Sequence, residues 1–194
     1  YIDSLIHLFS KYFANGVIFQ SNWSKKKNIK FGFDKKIKNI VIYNAPDDKI
    51  FFKKKTKNFD NQKRIKIVAS SWSSNLKKGF NYLNFLDKNL NFNNFKITFI
   101  GNSPLKFKNI KMLPPLKSVK LSKILRQNEY FLTASLNDPC SNSLLEAINC
   151  GLKPVYLDSG GHKEIANNRG IKFRNKKELL IKLNQIRKIK LFNE

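Results

Sequence analysis

The chain has 194 residues, a formal net charge of +25 and 41% hydrophobic residues, which is enough apolar material for a packed core. It contains no run of about 18 apolar residues, which excludes a membrane-spanning helix of ordinary length. The first residue is Tyr1, and Asp3 and His7 follow early. We therefore expect no signal peptide and regard the chain as a fragment of a longer protein.

The positive charge has two interpretations. A basic chain is typical of proteins that bind nucleic acid or an anionic membrane. However, Lys, Asn, Ile and Phe are abundant together, and Lys far outnumbers Arg, which is the residue that reads bases through paired hydrogen bonds. The lysines are also spread along the chain, so we favour a compositional bias. We expect no nucleic-acid partner, while a peripheral contact with an anionic membrane stays open.

The first fifty residues predict helix, strand, helix and strand in turn. Apolar residues recur at helical spacing over 1–14, and 16–20 reads as a short buried strand. Residues 21–24 offer N-caps for a short basic helix, and 39–43 form a second strand. This is an α/β pattern, but it is too short for a complete doubly wound domain.

After a polar, charged stretch at 53–64 that predicts a linker, strands and helices alternate regularly. The predicted strands are 65–69, 96–100, 110–113, 130–133, 155–157 and 171–173, and the predicted helices are 76–90, 119–127, 141–150 and 176–191. Such alternation favours parallel βαβ units with right-handed crossovers. The predicted fold is therefore α/β, a Rossmann-like parallel sheet with helices on both faces, preceded by a truncated α/β piece.

Four loops follow the predicted strands and are expected to converge on one crevice, at the end of the sheet where ligands of such folds bind. They are residues 70–79, 101–104, 135–142 and 158–161. Lys77 and Lys78 are predicted in the first turn of a helix, where an anion would offset their unfavourable position. The alternative is two solvated lysines in a lysine-rich protein. No loop matches a P-loop or a dinucleotide-binding fingerprint.

The two carboxylates Asp138 and Glu146 lie on either side of a helix start. Good N-cap types stand at Ser141, Asn142 and Ser143. If Ser143 is the cap, Glu146 completes an S-x-x-E capping box and does no recognition. If the helix begins earlier, Glu146 lies one turn in, where a carboxylate can accept hydrogen bonds from a ribose. Asp138, likewise, is either a ligand or the start of an Asp-Pro turn.

The spacing of the two cysteines argues against a disulfide between them. A helix between Cys140 and Cys150 holds them about 15 Å apart, which favours reduced thiols and a cytoplasmic location. The two histidines add no metal-ligand spacing, so no zinc site is expected. Cys140 precedes a helix N-terminus, which stabilises a thiolate, but no base partner is evident, so a catalytic cysteine is disfavoured.

Taken together, these motifs resemble the donor-binding signature of the retaining group 1 glycosyltransferases, which have the GT-B fold. The matching positions are Asp138, Glu146-Ala147, Gly151, Pro154, Gly160-Gly161 and Glu164, together with Lys78-Gly79 and Phe99-Ile100-Gly101. Residues 17–21 and 39–44 resemble the segments that precede the interdomain hinge of that family.

The resemblance implies a transferase, of the hexosyltransferase type, that moves a sugar from a nucleotide-diphosphate donor with retention. The acceptor would be a glycan, a lipid or a protein, the pathway would be cell-surface polysaccharide biosynthesis, and neither a metal nor a cofactor is expected. Residues 1–50 would be the end of the acceptor-side domain, 51–63 the hinge and 64–194 the donor-binding domain.

The resemblance also implies roles for individual residues. Glu146 would bind the ribose, Lys78 the diphosphate and Asp138 the donor sugar. The implied donor site is completed by the backbone at Ser141, Asn142 and Ser143 and by Gly101, Gly160 and Gly161. The base is expected near Leu113 and Pro114.

Three departures from the family pattern qualify these roles. Asp138 stands where Glu is usual, and Ser71-Trp72 replaces a Gly-Arg pair, so Ser73 or Asn75 is expected to substitute for the arginine. Most of the acceptor domain is absent, so turnover by this chain alone stays open. The alternatives are a non-catalytic degenerate glycosyltransferase domain and a basic module that binds nucleic acid or a membrane surface.

Overall fold

The computed structural model describes residues 2–54 and 63–192, and residues 55–62 of the predicted linker lie outside this range. The described residues form two parallel sheets, one of two strands and one of six. No helix within them combines the length and the apolar content that crossing a bilayer requires.

The smaller sheet belongs to the first part of the chain. Its elements are α1 (Ile2–Phe13), β1 (Val17–Phe19), α2 (Asn22–Lys30) and β2 (Asn39–Val41). β1 and β2 pair in parallel, with Val17 opposite Asn39. The helix, strand, helix, strand order is confirmed, and we call residues 2–44 the two-stranded unit.

The larger sheet is the centre of the fold. Its strands are β3 (Ile65–Ser71), β4 (Phe95–Gly101), β5 (Lys111–Leu113), β6 (Tyr130–Thr133), β7 (Lys153–Leu157) and β8 (Ile171–Phe173). They lie in the order β5-β4-β3-β6-β7-β8, and all pairs are parallel. Strands buried on both faces read as continuous apolar runs, which is why the sequence predicted them.

Helices cover both faces of this sheet. They are α3 (Phe80–Asn89), α4 (Ser118–Leu125), α5 (Asn142–Asn149), α6 (His162–Ile165) and α7 (Lys176–Phe192). One core cluster packs apolar residues of α3 and α7 on the sheet, and another packs those of α4 and α5 on the opposite face. The predicted Rossmann-like α/β fold is therefore confirmed.

The helix predicted from Leu76 begins later than expected. Residues Leu76–Lys78 form a separate 3₁₀ turn, because the side-chain oxygen of Asn75 accepts a hydrogen bond from the backbone N–H of Lys77 at 2.9 Å. Gly79 then adopts a left-handed conformation with φ 83°, and α3 starts at Phe80. Lys77 and Lys78 are thus not in the first turn of a helix, and the argument for an anion from their position in such a turn was wrong.

The order of the strands determines where a ligand cleft can open. The chain runs outward from β3 through β4 to β5, and then returns to place β6 on the other side of β3. At such a switch point the loops that follow the two central strands diverge, which leaves a crevice at their carboxyl ends.

The segment that precedes the undescribed linker packs on the larger sheet. Phe51 is buried among residues of α4 and α5, and Arg126 donates a hydrogen bond to the carbonyl of Ile50 at 3.0 Å. The first residue of the predicted hinge at 51–63, Phe51, is therefore buried against the larger sheet.

Candidate functional site

An open cleft of about 340 Å³ lies at the switch point, beside the ends of β3 and β6. Its lining combines the loop after β3, the loop after β6, and two side chains of the two-stranded unit, Gln20 and Asn44. Of the four loops predicted to converge, these two line the cleft directly. The loops after β4 and β7 lie around the cleft and do not line it.

A single ion pair crosses the floor of this cleft. The ammonium of Lys78 lies 3.1 Å from Oδ2 of Asp138, and the two side chains are 38% and 12% exposed, respectively. Both are residues predicted for the donor site, and the fold brings them together. An anion that enters the cleft meets a cation whose charge is partly balanced by Asp138, so it must compete with that carboxylate for Lys78.

The amino end of α5 forms the next part of the wall. The helix begins at Asn142 with Ser141 as its N-cap residue, and no side chain caps it. The hydroxyl of Ser141 instead lies 3.2 Å from that of Ser143, and all three residues line the cleft. Backbone N–H groups at an uncapped helix start carry partial positive charge, so this end of α5 favours an anionic ligand.

Glu146 does not complete a capping box. Because the N-cap is Ser141 rather than Ser143, that alternative is wrong, and Glu146 lies about 6 Å along the helix axis from Asn142. It lines a second cavity of about 550 Å³, which shares Asn44 and Asn142 with the cleft. Burial raises the pKa of Glu146 to about 7. The cleft that holds Lys78 and the cavity that holds Glu146 therefore adjoin at the start of α5.

The segment that replaces the family's Gly-Arg pair is held by local hydrogen bonds. Ser71 donates its hydroxyl to the carbonyl of Ser73 at 2.7 Å, and the hydroxyl of Ser73 accepts from the backbone of Asn75 at 3.1 Å. Ser73 lines the cleft, whereas the side-chain oxygen of Asn75 caps the 3₁₀ turn. Trp72 also lines the cleft and is 64% exposed.

The predicted glycines lie around the cleft rather than along its lining. Gly160 has φ 64°, and a side chain there would approach the carbonyl oxygen of Asp138 to 2.2 Å. The backbone N–H of Gly161 donates to the same carbonyl at 2.9 Å. Both glycines therefore support the loop that holds Asp138. Gly101 lines a small neighbouring cavity with Ser71 and Pro115, one residue beyond the region predicted for a base.

Other candidates for chemistry are inert in this structure. Cys140 and Cys150 are buried and form no disulfide, and burial raises the pKa of the Cys140 thiol, which disfavours a nucleophilic thiolate. His162 is fully buried, and its Nδ1 faces the carbonyl of Leu157 at 3.0 Å. Burial lowers its pKa, so it stays neutral. Within residues 2–54 and 63–192, no cluster of His, Cys, Asp and Glu could hold a metal ion.

Sequence reasoning missed the contribution of the two-stranded unit. Asn44 donates its side-chain amide to Oδ1 of Asn142 at 2.7 Å, and Gln20 donates to Asn44 at 3.3 Å. Asn44 precedes Pro46, so the sequence suggested only a turn. The hydrogen bond between Asn44 and Asn142 joins residues 98 positions apart, and a contact over such a distance produces no periodic pattern in the sequence.

No family model matches the chain, and no curated protein matches it either. Solved structures do match. They include HepE of Anabaena in complex with UDP-glucose (18% identity, TM-score 0.75, 94% of this chain and 57% of that one). Sucrose-phosphate synthase of Thermosynechococcus elongatus matches at 13% identity and a TM-score of 0.75, over 95% of this chain and 51% of that one. A glycosyltransferase of Rickettsia africae matches at 16% identity and a TM-score of 0.70, over 93% of this chain and 56% of that one.

The chain thus spans about half the length of these solved structures. The likeness covers both the two-stranded unit and the larger sheet, since nearly all of this chain is included. The chain therefore has the Rossmann-like α/β fold seen in GT-B glycosyltransferases.

Proposed function

We propose that the chain binds a nucleotide-diphosphate sugar and forms the donor side of a glycosyltransferase. The reaction transfers a hexose, with retention, to a glycan, lipid or protein acceptor. One observation carries this proposal: Lys78, the uncapped start of α5 and Glu146 follow one another along two adjoining cavities at the switch point of the sheet, which share Asn44 and Asn142. A diphosphate flanked by a sugar and a ribose matches that order of groups.

Each group has a role that its chemistry supports. Lys78 and the first N–H groups of α5 hold the diphosphate and stabilise the negative charge that grows as the bond from the sugar C1 to the phosphate oxygen breaks. The oxygen of an acceptor hydroxyl then takes the place of the phosphate oxygen on the same face of C1, and its proton passes to the departing nucleoside diphosphate. Glu146 accepts hydrogen bonds from the ribose hydroxyls, and Asp138 accepts them from the donor sugar. In this proposal the cation and the amides neutralise the diphosphate, so transfer needs no metal or cofactor.

Calorimetric titration of the chain with UDP-glucose, GDP-glucose and ADP-glucose tests the proposal. UDP-glucose is the first probe, because HepE was solved with it. We expect dissociation constants between about 1 μM and 1 mM, the usual range of enzyme KM values. If folded protein binds none of the three, the proposal is wrong. Transfer itself is assayed on a protein that also supplies an acceptor-binding domain.

A peripheral contact with an anionic membrane is a second, compatible role. Lys66, Lys96 and Lys111 lie on neighbouring strands and line a cavity of about 160 Å³ away from the donor cleft. Cys140 and Cys150 form no disulfide, which fits a reducing compartment such as the cytoplasm. Sedimentation with phosphatidylserine vesicles should show binding that is lost as the salt concentration rises, since surface charges are screened. Binding to neutral vesicles alone would contradict it.

A further inference from the structure

Glu164 joins the larger sheet to the two-stranded unit through its carboxylate. Its Oε2 accepts a hydrogen bond from the backbone N–H of Asn22 at 2.9 Å, and its Oε1 accepts one from that of Trp23 at 2.6 Å. These are the first two residues of α2, and the third backbone N–H, that of Ser24, is bonded by the hydroxyl of Ser21 at 3.0 Å. A carboxylate from α6 therefore caps a helix that lies more than 140 residues earlier in the chain.

The same carboxylate holds a second segment. The hydroxyl of Tyr43 donates to Oε2 of Glu164 at 2.8 Å and accepts from the side-chain amide of Asn22 at 2.9 Å. Burial acts to raise the pKa of Glu164, but the hydrogen bonds from Tyr43 and from the two backbone amides together outweigh it and lower the pKa below its ordinary value. Glu164 is thus ionised at neutral pH, and its contacts are charge-assisted, which makes them stronger than neutral ones.

The residue after Tyr43 lies in the donor cleft. Asn44 contacts Asn142 at the start of α5 and accepts a hydrogen bond from Gln20. Asn44 and Gln20 form the cleft wall that the two-stranded unit supplies. Since Tyr43 and Asn44 are consecutive, fixing the Tyr43 hydroxyl also fixes where Asn44 stands opposite α5.

We propose that Glu164 is a positioning residue: through Tyr43 it sets the place of Asn44 and Gln20, and so completes the cleft for the nucleotide-sugar donor. This inference rests on the proposed function of that cleft. The alternative is a purely structural cap on α2, which would leave donor binding unaffected once the protein is folded. Tyr43→Phe separates the two, because it removes the contact to Tyr43 and leaves both backbone bonds from α2 to Glu164 in place.

The test compares the wild-type chain with Glu164→Ala, Tyr43→Phe and a control, Glu178→Gln. Glu178 also accepts a backbone hydrogen bond, from Arg174, and pairs with Lys182, but it lies on α7 away from the cleft. UDP-glucose affinity is measured by calorimetry, and the protection of the amides of α2 by hydrogen exchange. We expect Glu164→Ala to expose the start of α2 and to weaken binding about 3- to 10-fold.

Tyr43→Phe should weaken binding by about 3-fold while α2 keeps its protection, and Glu178→Gln should change neither quantity. Wild-type affinity in both Glu164→Ala and Tyr43→Phe would overturn this inference and leave the proposed function standing. Weaker binding by Glu164→Ala alone would also overturn it, since the effect would then pass through α2. If the folded wild-type chain binds no UDP-glucose, the proposed function and this inference fail together.

Discussion

Replacing Glu146 by Gln removes a partly buried ionisable group and keeps the size of the side chain. Burial raises the pKa of this carboxyl from 4.5 to about 7 in the folded protein. The folded state therefore prefers the protonated form, whereas the unfolded chain ionises at its ordinary pKa. The protonated carboxyl therefore makes the folded protein more stable than the ionised carboxyl does. This gain in stability is fully present below about pH 4.5 and is lost as the pH rises through 7.

The size of this change in stability follows from the rise in pKa. For a fully buried group, a rise from 4.5 to about 7 would correspond to about 3 kcal/mol in the free energy of unfolding. Glu146 is only partly buried, so water screens part of the penalty, and we expect about 1–2 kcal/mol. Glu146→Gln should thus be more stable than the wild type by that amount at pH 8, and the gap should shrink toward pH 5. A capping-box glutamate would give the opposite sign, a loss of about 1 kcal/mol.

Donor binding should respond in the opposite direction to stability. Ribose hydroxyls donate to the ionised carboxylate, so the affinity of the wild type for UDP-glucose should rise by up to roughly tenfold per pH unit below pH 7 and level off above it. UDP-glucose is preferred to UDP because its esterified terminal phosphate does not titrate near pH 6. Glu146→Gln should bind more weakly at pH 8 and show no such slope.

Urea unfolding and calorimetry between pH 5.5 and 8.5 measure both quantities. Glu178→Gln is the control, since hydrogen bonds and the pairing with Lys182 lower the pKa of Glu178. It should leave the pH dependence of donor binding unchanged. The reasoning is refuted if Glu146→Gln is less stable than the wild type at pH 8, or if it keeps the same affinity and the same slope.

Three further predictions concern the cleft and the core. Lys78→Ala should weaken UDP-glucose binding by tenfold or more, because it removes the cation on the cleft floor; an unchanged dissociation constant would contradict this. Trp72→Arg should tighten binding about 3- to 10-fold at little cost in stability, since Trp72 is exposed at the cleft and an arginine there adds a second phosphate contact; calorimetry and a thermal melt check both parts. Leu86→Ala should lower the free energy of unfolding by about 2–5 kcal/mol, measured in urea, and leave donor affinity in the folded protein unchanged, because Leu86 is fully buried in α3.

Most of the larger sheet could be predicted from the sequence because its strands are short apolar runs between Gly, Pro and Asn turns. Strands such as 130–133 and 171–173 were placed to the residue. The start of α3 could not be predicted, since the apolar pattern runs on through Leu76. The Asn75 cap of the 3₁₀ turn and the left-handed Gly79, where a side chain would lie 2.5 Å from the Cβ of Ala134, separate this turn from the helix. The four residues of α6 are too few for helical periodicity to register.

The part of the candidate site that lies in one continuous segment of the chain could be predicted from the sequence. Asp138, Ser141 and Glu146 belong to a single loop and helix, so their spacing placed them together. The role of Glu146 could not be fixed, because Ser141, Asn142 and Ser143 are all acceptable N-caps and the choice among them decides whether Glu146 caps or faces a cavity. The contributions of Asn44 and Gln20 depend on contacts between the two sheets, which no local pattern encodes.

Asp138 lies at a position where the family that the sequence resembles usually has Glu, and in this structure its carboxylate pairs with Lys78. Asp138 keeps its Oδ2 at 3.1 Å from the ammonium because the loop beneath it is fixed by Gly160 and Gly161. A carboxylate this close lowers the positive potential that a diphosphate would meet, and no arginine stands at Trp72 to restore it. The uncapped start of α5 then becomes the main source of unbalanced positive charge in the cleft. Donor binding in this chain should therefore depend more on backbone N–H groups, and less on side-chain cations, than the resemblance alone implies.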